Sequence, residues 1–327
     1  LSGFFMKTRE FYKDQLRQAE ALIAENRFAE AHAILDRLIA DADNLAGVLG
    51  SVTSLGLPRR LQSSLLKLAK RESDPVRRVG YQYHLVPPPE IVSRHVVYGA
   101  EARRAMARCS TEAVPRTIHQ IWIGTKPVPV TVEAWQLHAQ THGYDHRLWR
   151  EADLERLGIY DNEAFREMLE AGDYPGAVDV ARYVILAHEG GIYLDCDWYP
   201  ARHAVSFHDI LPMTGLHAFA EPIPRNTATG SLLLANSFIA TPPGHPVFKV
   251  MLAALPGLQA ELPGAPAWWV TGPLLFTVAA RAASLCLAPA DFVAANAAPG
   301  MTLNEVRALA AKAEENAGGL LIAWKPW

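Results

Sequence analysis

The chain has 327 residues, half of them apolar and a fifth charged, enough for a full-sized core and unlike a disordered chain. A formal charge of -3 offers no basic excess for a phosphate backbone, so no nucleic-acid partner is expected. Cys109, Cys196 and Cys286 are scattered and lack C-x-x-C spacing, which argues against a disulfide framework or structural zinc and for a reducing, cytoplasmic setting.

Leu1 to Phe5, ahead of Met6, read as a cloning remnant rather than a leader, because the apolar stretch is too short. From Lys7 to about Arg108 the chain is rich in Ala, Leu, Glu, Arg and Lys, which predicts helices. Leu22, Ala29, Ala33 and Leu38 are spaced for a helical hairpin broken near Asn26 to Phe28. It resembles one tetratricopeptide-type hairpin without a second copy at the expected period. Residues 1–112 are therefore expected to form a helical segment that serves as a scaffold or as a surface for a protein partner. "LVPPPE" at 85–90 should interrupt it. No run approaches the roughly 18 to 20 apolar residues of a spanning helix.

The texture changes after Ala113. "VPRTIHQIWIG" predicts a strand closed by Gly124, followed by a helix from Thr131 through His142, a short strand in "YDHRLWR" and helix again over 151–171. "DVARYVILAHE" is a helix ended by Gly190 and Gly191 in a left-handed turn. "LLLANSFIAT" predicts a further strand, Val247 to Ala260 a helix, and Thr302 to Ala317 a helix before "LLIAWKPW". This alternation indicates an α/β fold with a Rossmann-like, mostly parallel sheet.

The stretch "GGIYLDCDWYP" runs an apolar strand into two carboxylates one residue apart. If the strand continues through them, Tyr193, Asp195 and Asp197 share one face. Two like charges so placed need relief, and paired oxygen donors at a strand end suit a hard divalent cation, Mn²⁺ or Mg²⁺, that shares its shell with phosphate oxygens. Asp179 and Arg182 lie three apart on the preceding helix and face the same way. Trp122 falls at the end of its strand, where an indole could stack on a base. His119, flanked by apolar strand residues, reads as a packing and hydrogen-bonding histidine.

Taken in order, "VPRTIHQIWIG", "LW" at 148–149, "AVDVARYVILAHEGGIYLDCD", "NSFIATPPGHPVF" and "TGP" at 271–273 resemble the DXD-containing glycosyltransferase sugar-binding family. That family includes α-mannosyltransferase-related enzymes and, more distantly, the glucosylating domains of large clostridial toxins. The resemblance covers roughly 114–280. It implies a GT-A-type domain over 113–327 and a retaining hexosyl- or N-acetylhexosaminyltransferase that uses a UDP- or GDP-sugar. By the same resemblance Trp122 stacks on the base, Asp179 and Arg182 hold the donor sugar and diphosphate, and Tyr193 and Asn236 contact the donor. Asp195 and Asp197 hold the metal, Asp197 directly. Relatives often close the site with a C-terminal aromatic segment; here that segment is "AWKPW", which makes Trp324 a candidate lid residue and Lys325 a candidate diphosphate partner. The acceptor, whether protein, glycan or small metabolite, is not legible. Two other readings stand beside this one, a noncatalytic nucleotide-sugar-binding module and a D-x-D phosphatase. The phosphatase pattern expects Thr or Val where Trp198 stands.

Overall fold

A computed structural model of the chain describes residues 9–45, 48–53, 55–85, 89–221, 232–263, 265–316 and 318–327. These fall into two compact units that divide between residues 88 and 89. Leu1 to Phe5 and the prolines at 87 and 88 lie outside the described residues.

In the first unit, helices Arg9–Ala24 and Phe28–Ala40 form the expected hairpin, turned by Asn26 at φ 59°, a left-handed value that asparagine tolerates. The buried stripe differs from the expected one. Ala31, Ile34, Leu35 and Leu38 face the core while Ala29 and Ala33 are exposed, because the larger aliphatic side chains remove more apolar area from water. Helices Arg59–Arg71 and Pro75–Leu85 follow, and Leu61, Leu65 and Leu68 join the same core.

The second unit carries a six-stranded sheet and a three-stranded sheet. We number the strands β1 Thr117–Ile121, β2 Asp145–Trp149, β3 Gly191–Leu194, β4 Trp198–Pro200, β5 Leu216–Ala218, β6 Phe238–Thr241, β7 Leu285–Leu287, β8 Val293–Asn296 and β9 Leu321–Ala323. The larger sheet runs β2-β1-β3-β6-β5-β7. β2, β1 and β3 are mutually parallel, β6 is antiparallel to both β3 and β5, and β7 is parallel to β5. β6 alone therefore runs against the rest, and the protein is mixed α/β with a mostly parallel central sheet. Ile118, Ile192, Leu194, Phe238 and Ala240 from β1, β3 and β6 pack with Trp135 of helix Val130–His142, Phe207 and Phe292. Fully burying each of the large side chains contributes about 1.5–3 kcal/mol.

Helix Tyr174–Glu189 leads into β3. Asp173 caps it by accepting the Gly176 amide at 3.0 Å, and Pro175 sits in its first turn, where a missing N–H costs nothing. The helix ends at Gly190, not in the left-handed helical conformation but at φ 65° and ψ -152°, a region open essentially to glycine. Gly191, at φ 92°, starts β3 with no room for a side chain, since a Cβ there would lie 2.8 Å from the Thr117 carbonyl oxygen. Gly191→Ala is expected to cost about 2–4 kcal/mol through strain and this clash. A lowered urea midpoint at unchanged slope would show it.

One expectation needs correction. The strand does not run through the two carboxylates: β3 stops at Leu194, and residues 195–197 make a turn in which the Trp198 amide donates to the Asp195 carbonyl at 3.3 Å. The reason is pairing. β3 pairs with β6, whereas β4 pairs with β9 in the other sheet, so the chain changes sheets between them.

Candidate active site

The parallel register sets β1 beside β3, with His119 opposite Tyr193. Trp122 and the Asp195–Asp197 turn therefore leave the same, C-terminal, edge of the sheet, where ligands collect in such folds. Antiparallel β6 brings its start to that edge, and the Asp195 amide donates to the Ser237 carbonyl at 2.9 Å.

Behind the turn lies a buried polar network. Arg182, 3 % exposed, places Nη2 at 3.0 Å from Asp179 Oδ1 and 3.1 Å from Asp195 Oδ1. Its Nη1 donates to the Asn236 carbonyl at 2.5 Å, and the guanidinium lies 4.5 Å from the centre of the Tyr193 ring. Tyr193 donates its hydroxyl to Asp195 Oδ1 at 2.7 Å. Asp179 accepts from Asn236 Nδ2 at 2.8 Å and from the Thr271 hydroxyl at 2.9 Å. Tyr183 closes the ring, donating to the Thr271 carbonyl at 2.5 Å and accepting from Asn236 Nδ2 at 3.0 Å.

The electrostatics follow from this burial. Loss of hydration lifts the Asp179 carboxyl to about 6 despite Arg182 beside it. Burial also opposes the Arg182 charge, but the neighbouring carboxylates, Asp195 foremost, outweigh it and hold the guanidinium ionised. Burial pushes the Tyr193 hydroxyl well above its ordinary value, so it stays a donor to Asp195. Asp195 is thus oriented by two donors on Oδ1, and its Oδ2 has no protein hydrogen bond among the described residues. Asp197 makes no ion pair among them. Its carboxyl is lifted to about 7, first by burial and then by repulsion from Asp195, with Lys325 the largest opposing influence.

This donor set fits a divalent cation. Two carboxylates on one short turn repel each other, a repulsion that Arg182 on Asp195 and Lys325 on the Asp197 side offset only in part, since Asp197 is still lifted, and both offer the hard oxygens that Mg²⁺ and Mn²⁺ prefer. Among the described residues no third His, Cys, Asp or Glu completes a cage. The remaining shell would belong to water and ligand oxygens, which is how such ions bind in phosphate sites.

The structure brings some of the sequence-predicted residues together and sets others apart. Asp179, Arg182, Tyr193, Asp195 and Asn236 come together, but Asn236 spends its amide within the network, and Arg182 sits behind Asp195 rather than in the open. Trp122 lies at the sheet edge; its Nε1 donates to the Lys126 carbonyl at 2.9 Å, and its ring meets the Trp327 ring at 4.9 Å, edge to face. The indole of Trp324 is buried against Tyr199 in a packing cluster and donates to the Met301 carbonyl at 3.0 Å. Only its backbone reaches the site, its amide donating to the Asp197 carbonyl at 2.7 Å. The tail residues that approach the site are therefore Lys325 and Trp327. Tyr183 and Thr271 escaped the sequence reading as functional residues. Both lie in motifs quoted above, and a hydroxyl next to Arg182 was the available signal for Tyr183.

His119 is structural, as expected. Its Nε2 lies 2.9 Å from the Gly190 carbonyl oxygen, and Nδ1 accepts from Trp149 Nε1 at 3.0 Å, which assigns a neutral ring. Burial lowers it to about 4. Below pH 6.5 the unfolded chain takes up a proton that the folded His119 refuses, so stability falls as pH drops from 6.5 towards 4, by at most about 1.4 kcal/mol per pH unit from this group. Urea melts at pH 7 and 5 test this; a smaller pH dependence is expected in His119→Gln, which is less stable at pH 7.

Residues 131–215 match the family model described as a glycosyltransferase sugar-binding region containing a DXD motif. An uncharacterized glycosyltransferase of Acanthamoeba polyphaga mimivirus is 32% identical over 143 residues, 41% of this chain and 53% of that protein. Inositol phosphoceramide mannosyltransferase 1 of Schizosaccharomyces pombe is 32% identical over 98 residues, 26% of this chain and 28% of that protein. The chain thus spans about half or less of the length of these curated relatives. Among solved structures the PaToxG glycosyltransferase is similar at a TM-score of 0.42 and 18% identity, over 59% of this chain and 78% of that one. The turn with Asp195 and Asp197, and the helix that supplies Asp179 and Arg182, lie within the segment that matches this model of a glycosyltransferase sugar-binding region containing a DXD motif.

Proposed function

We propose that the protein is a metal-dependent, retaining glycosyltransferase with a GT-A-type arrangement, taking a hexosyl or N-acetylhexosaminyl group from a UDP- or GDP-sugar. The observation that carries this reading is the buried Asp179–Arg182–Asp195 relay directly behind a two-carboxylate turn at the sheet edge. Such a relay holds Asp195 in one orientation before a donor arrives, which is the pre-organisation that electrostatic catalysis requires.

Asp195 and Asp197 would hold the cation, Mn²⁺ or Mg²⁺; when bound it supplies positive charge against the diphosphate as that group leaves. The chain's own residues do the rest. Trp122 offers an indole face to the base, with Trp327 beside it. Asp179 and Asn236 fix Arg182, and Arg182 with Tyr193 fixes Asp195. Lys325 adds a cation on the Asp197 side. No carboxylate stands out as a covalent nucleophile, so the acceptor hydroxyl attacks from the face the diphosphate leaves, and the leaving phosphate oxygen takes its proton. Catalysis then rests on positioning and electrostatics.

The test is a thermal-shift panel of UDP- and GDP-sugars with and without Mn²⁺, GDP-mannose included because one relative is named a mannosyltransferase. A ligand at about a hundred times its dissociation constant adds about 2.7 kcal/mol of stability. Mn²⁺-dependent stabilisation by one donor, with slow hydrolysis or transfer of that donor, supports the proposal. Stabilisation without turnover would make this a binding module, and no stabilisation by any donor would end the reading.

A further inference from the structure

The helical first unit has a groove of about 480 Å³ lined by two stripes of side chains. Helix Arg9–Ala24 presents Lys13, Leu16, Arg17 and Glu20; helix Arg59–Arg71 presents Arg60, Ser63 and Lys67; Leu49 adds to the lining. The spacings i, i+3 or i+4, and i+7 put each set on one helix face. Four cations thus meet one carboxylate. That carboxylate, Glu20, is already used: it accepts the Lys67 ammonium at 2.9 Å and the Ser64 hydroxyl at 2.7 Å.

The other cations have loose partners. Lys13 lies 3.6 Å from Glu10, and Arg17 pairs with Glu10 and Asp14, all four side chains being partly or largely exposed. Exposed pairs of this kind hold weakly and yield to a ligand that offers several charges at once. Arg60 makes no ion pair among the described residues. Helix Arg59–Arg71 carries Arg59, Arg60, Lys67, Lys70 and Arg71 and no acidic residue at all. Its apolar side is spent, since Leu61, Leu65 and Leu68 are buried in the unit's own core. A basic helix with its apolar face already covered can attract an anion but has nothing left to insert into a hydrocarbon layer.

We propose that this groove is a binding site for a compact ligand carrying two or more phosphate groups, separate from the donor site. The phosphates would take Arg17, Arg60 and Lys13, Ser63 would donate its hydroxyl, and Leu16 and Leu49 would shape the floor. Such a ligand is either a free polyphosphorylated molecule or an anionic lipid headgroup, which share this chemistry.

The experiment titrates inorganic tripolyphosphate into the full chain by calorimetry, in EDTA and at physiological ionic strength, so that no divalent ion supports binding at the acidic turn. Saturable one-to-one binding is expected, weakened about tenfold or more in Arg17→Gln/Arg60→Gln. Arg307→Gln, a surface change in the other unit, and Asp197→Asn should leave it intact. Both groove arginines are solvent-exposed, so circular dichroism should find the double variant folded. Flotation with vesicles containing phosphatidylinositol bisphosphate, against phosphatidylcholine vesicles, separates the sources: capture lost in the double variant assigns a headgroup, and tripolyphosphate binding without capture assigns a soluble ligand. Absence of saturable binding, equal binding by the double variant, loss of binding in Asp197→Asn, or vesicle capture untouched by the groove substitutions would each overturn the proposal.

Discussion

Arg182→Met is expected to destabilise the fold by about 3–5 kcal/mol, the range for removing one partner of a buried ion pair. Methionine fills much of the volume, so packing is not the cause. Asp179 and Asp195 would both lose the guanidinium at 3.0 and 3.1 Å, leaving the buried Asp179 carboxylate without its ionic partner and the half-buried Asp195 with Tyr193 as its remaining side-chain donor. The urea midpoint should fall at unchanged slope. Adding Asp179→Asn to Arg182→Met should recover part of the loss, because one stranded charge is then gone and the amide can still meet Thr271. Donor turnover should fall about 10²–10³-fold, since Asp195 loses its orientation. A stability cost under about 1 kcal/mol would mean the trio behaves like a surface pair and that the relay argument is wrong.

Asp197→Asn should do the opposite to stability while removing function. Burial and Asp195 hold this carboxyl at about 7, above its ordinary range, so the folded state binds a proton more readily than the unfolded chain. The contribution to stability is therefore fully present at low pH and lost as pH rises from about 4 through about 7. The asparagine variant escapes that loss. It should be more stable than the parent by about 1 kcal/mol at neutral pH, with the difference shrinking towards pH 4. Metal-dependent donor stabilisation should vanish and turnover drop about 10³-fold. A residue whose removal steadies the fold and stops the chemistry is one kept for function. Equal loss of stability and activity would instead mark Asp197 as structural.

These two residues also show how far the sequence could be read. The i, i+3 spacing of Asp179 and Arg182 put both on one helix face, as found, because helical periodicity is a local property. The same logic failed one residue past Leu194. Strand alternation predicts a shared face for Asp195 and Asp197, but whether a strand continues depends on its partner, and β6 and β9 arrive from more than forty residues away. Trp324 shows the same limit: an aromatic near a chain end reads as lid or anchor alike until Met301 and Tyr199 are seen around it.

Periodicity and glycine placement were enough to determine a helical first part, an alternating α/β second part and the placing of Asp179 and Arg182 on one helix face, since each depends on neighbours a few positions apart. The tertiary structure alone decided that the carboxylates sit in a turn between two sheets and that Arg182 lies behind Asp195. It alone showed Thr271 and Tyr183 completing the network. Those outcomes depend on pairing and burial between segments far apart in the chain, Trp198 opposite Ala323 and Asp179 against Thr271, where water is excluded and the strength of every charge is set by what surrounds it.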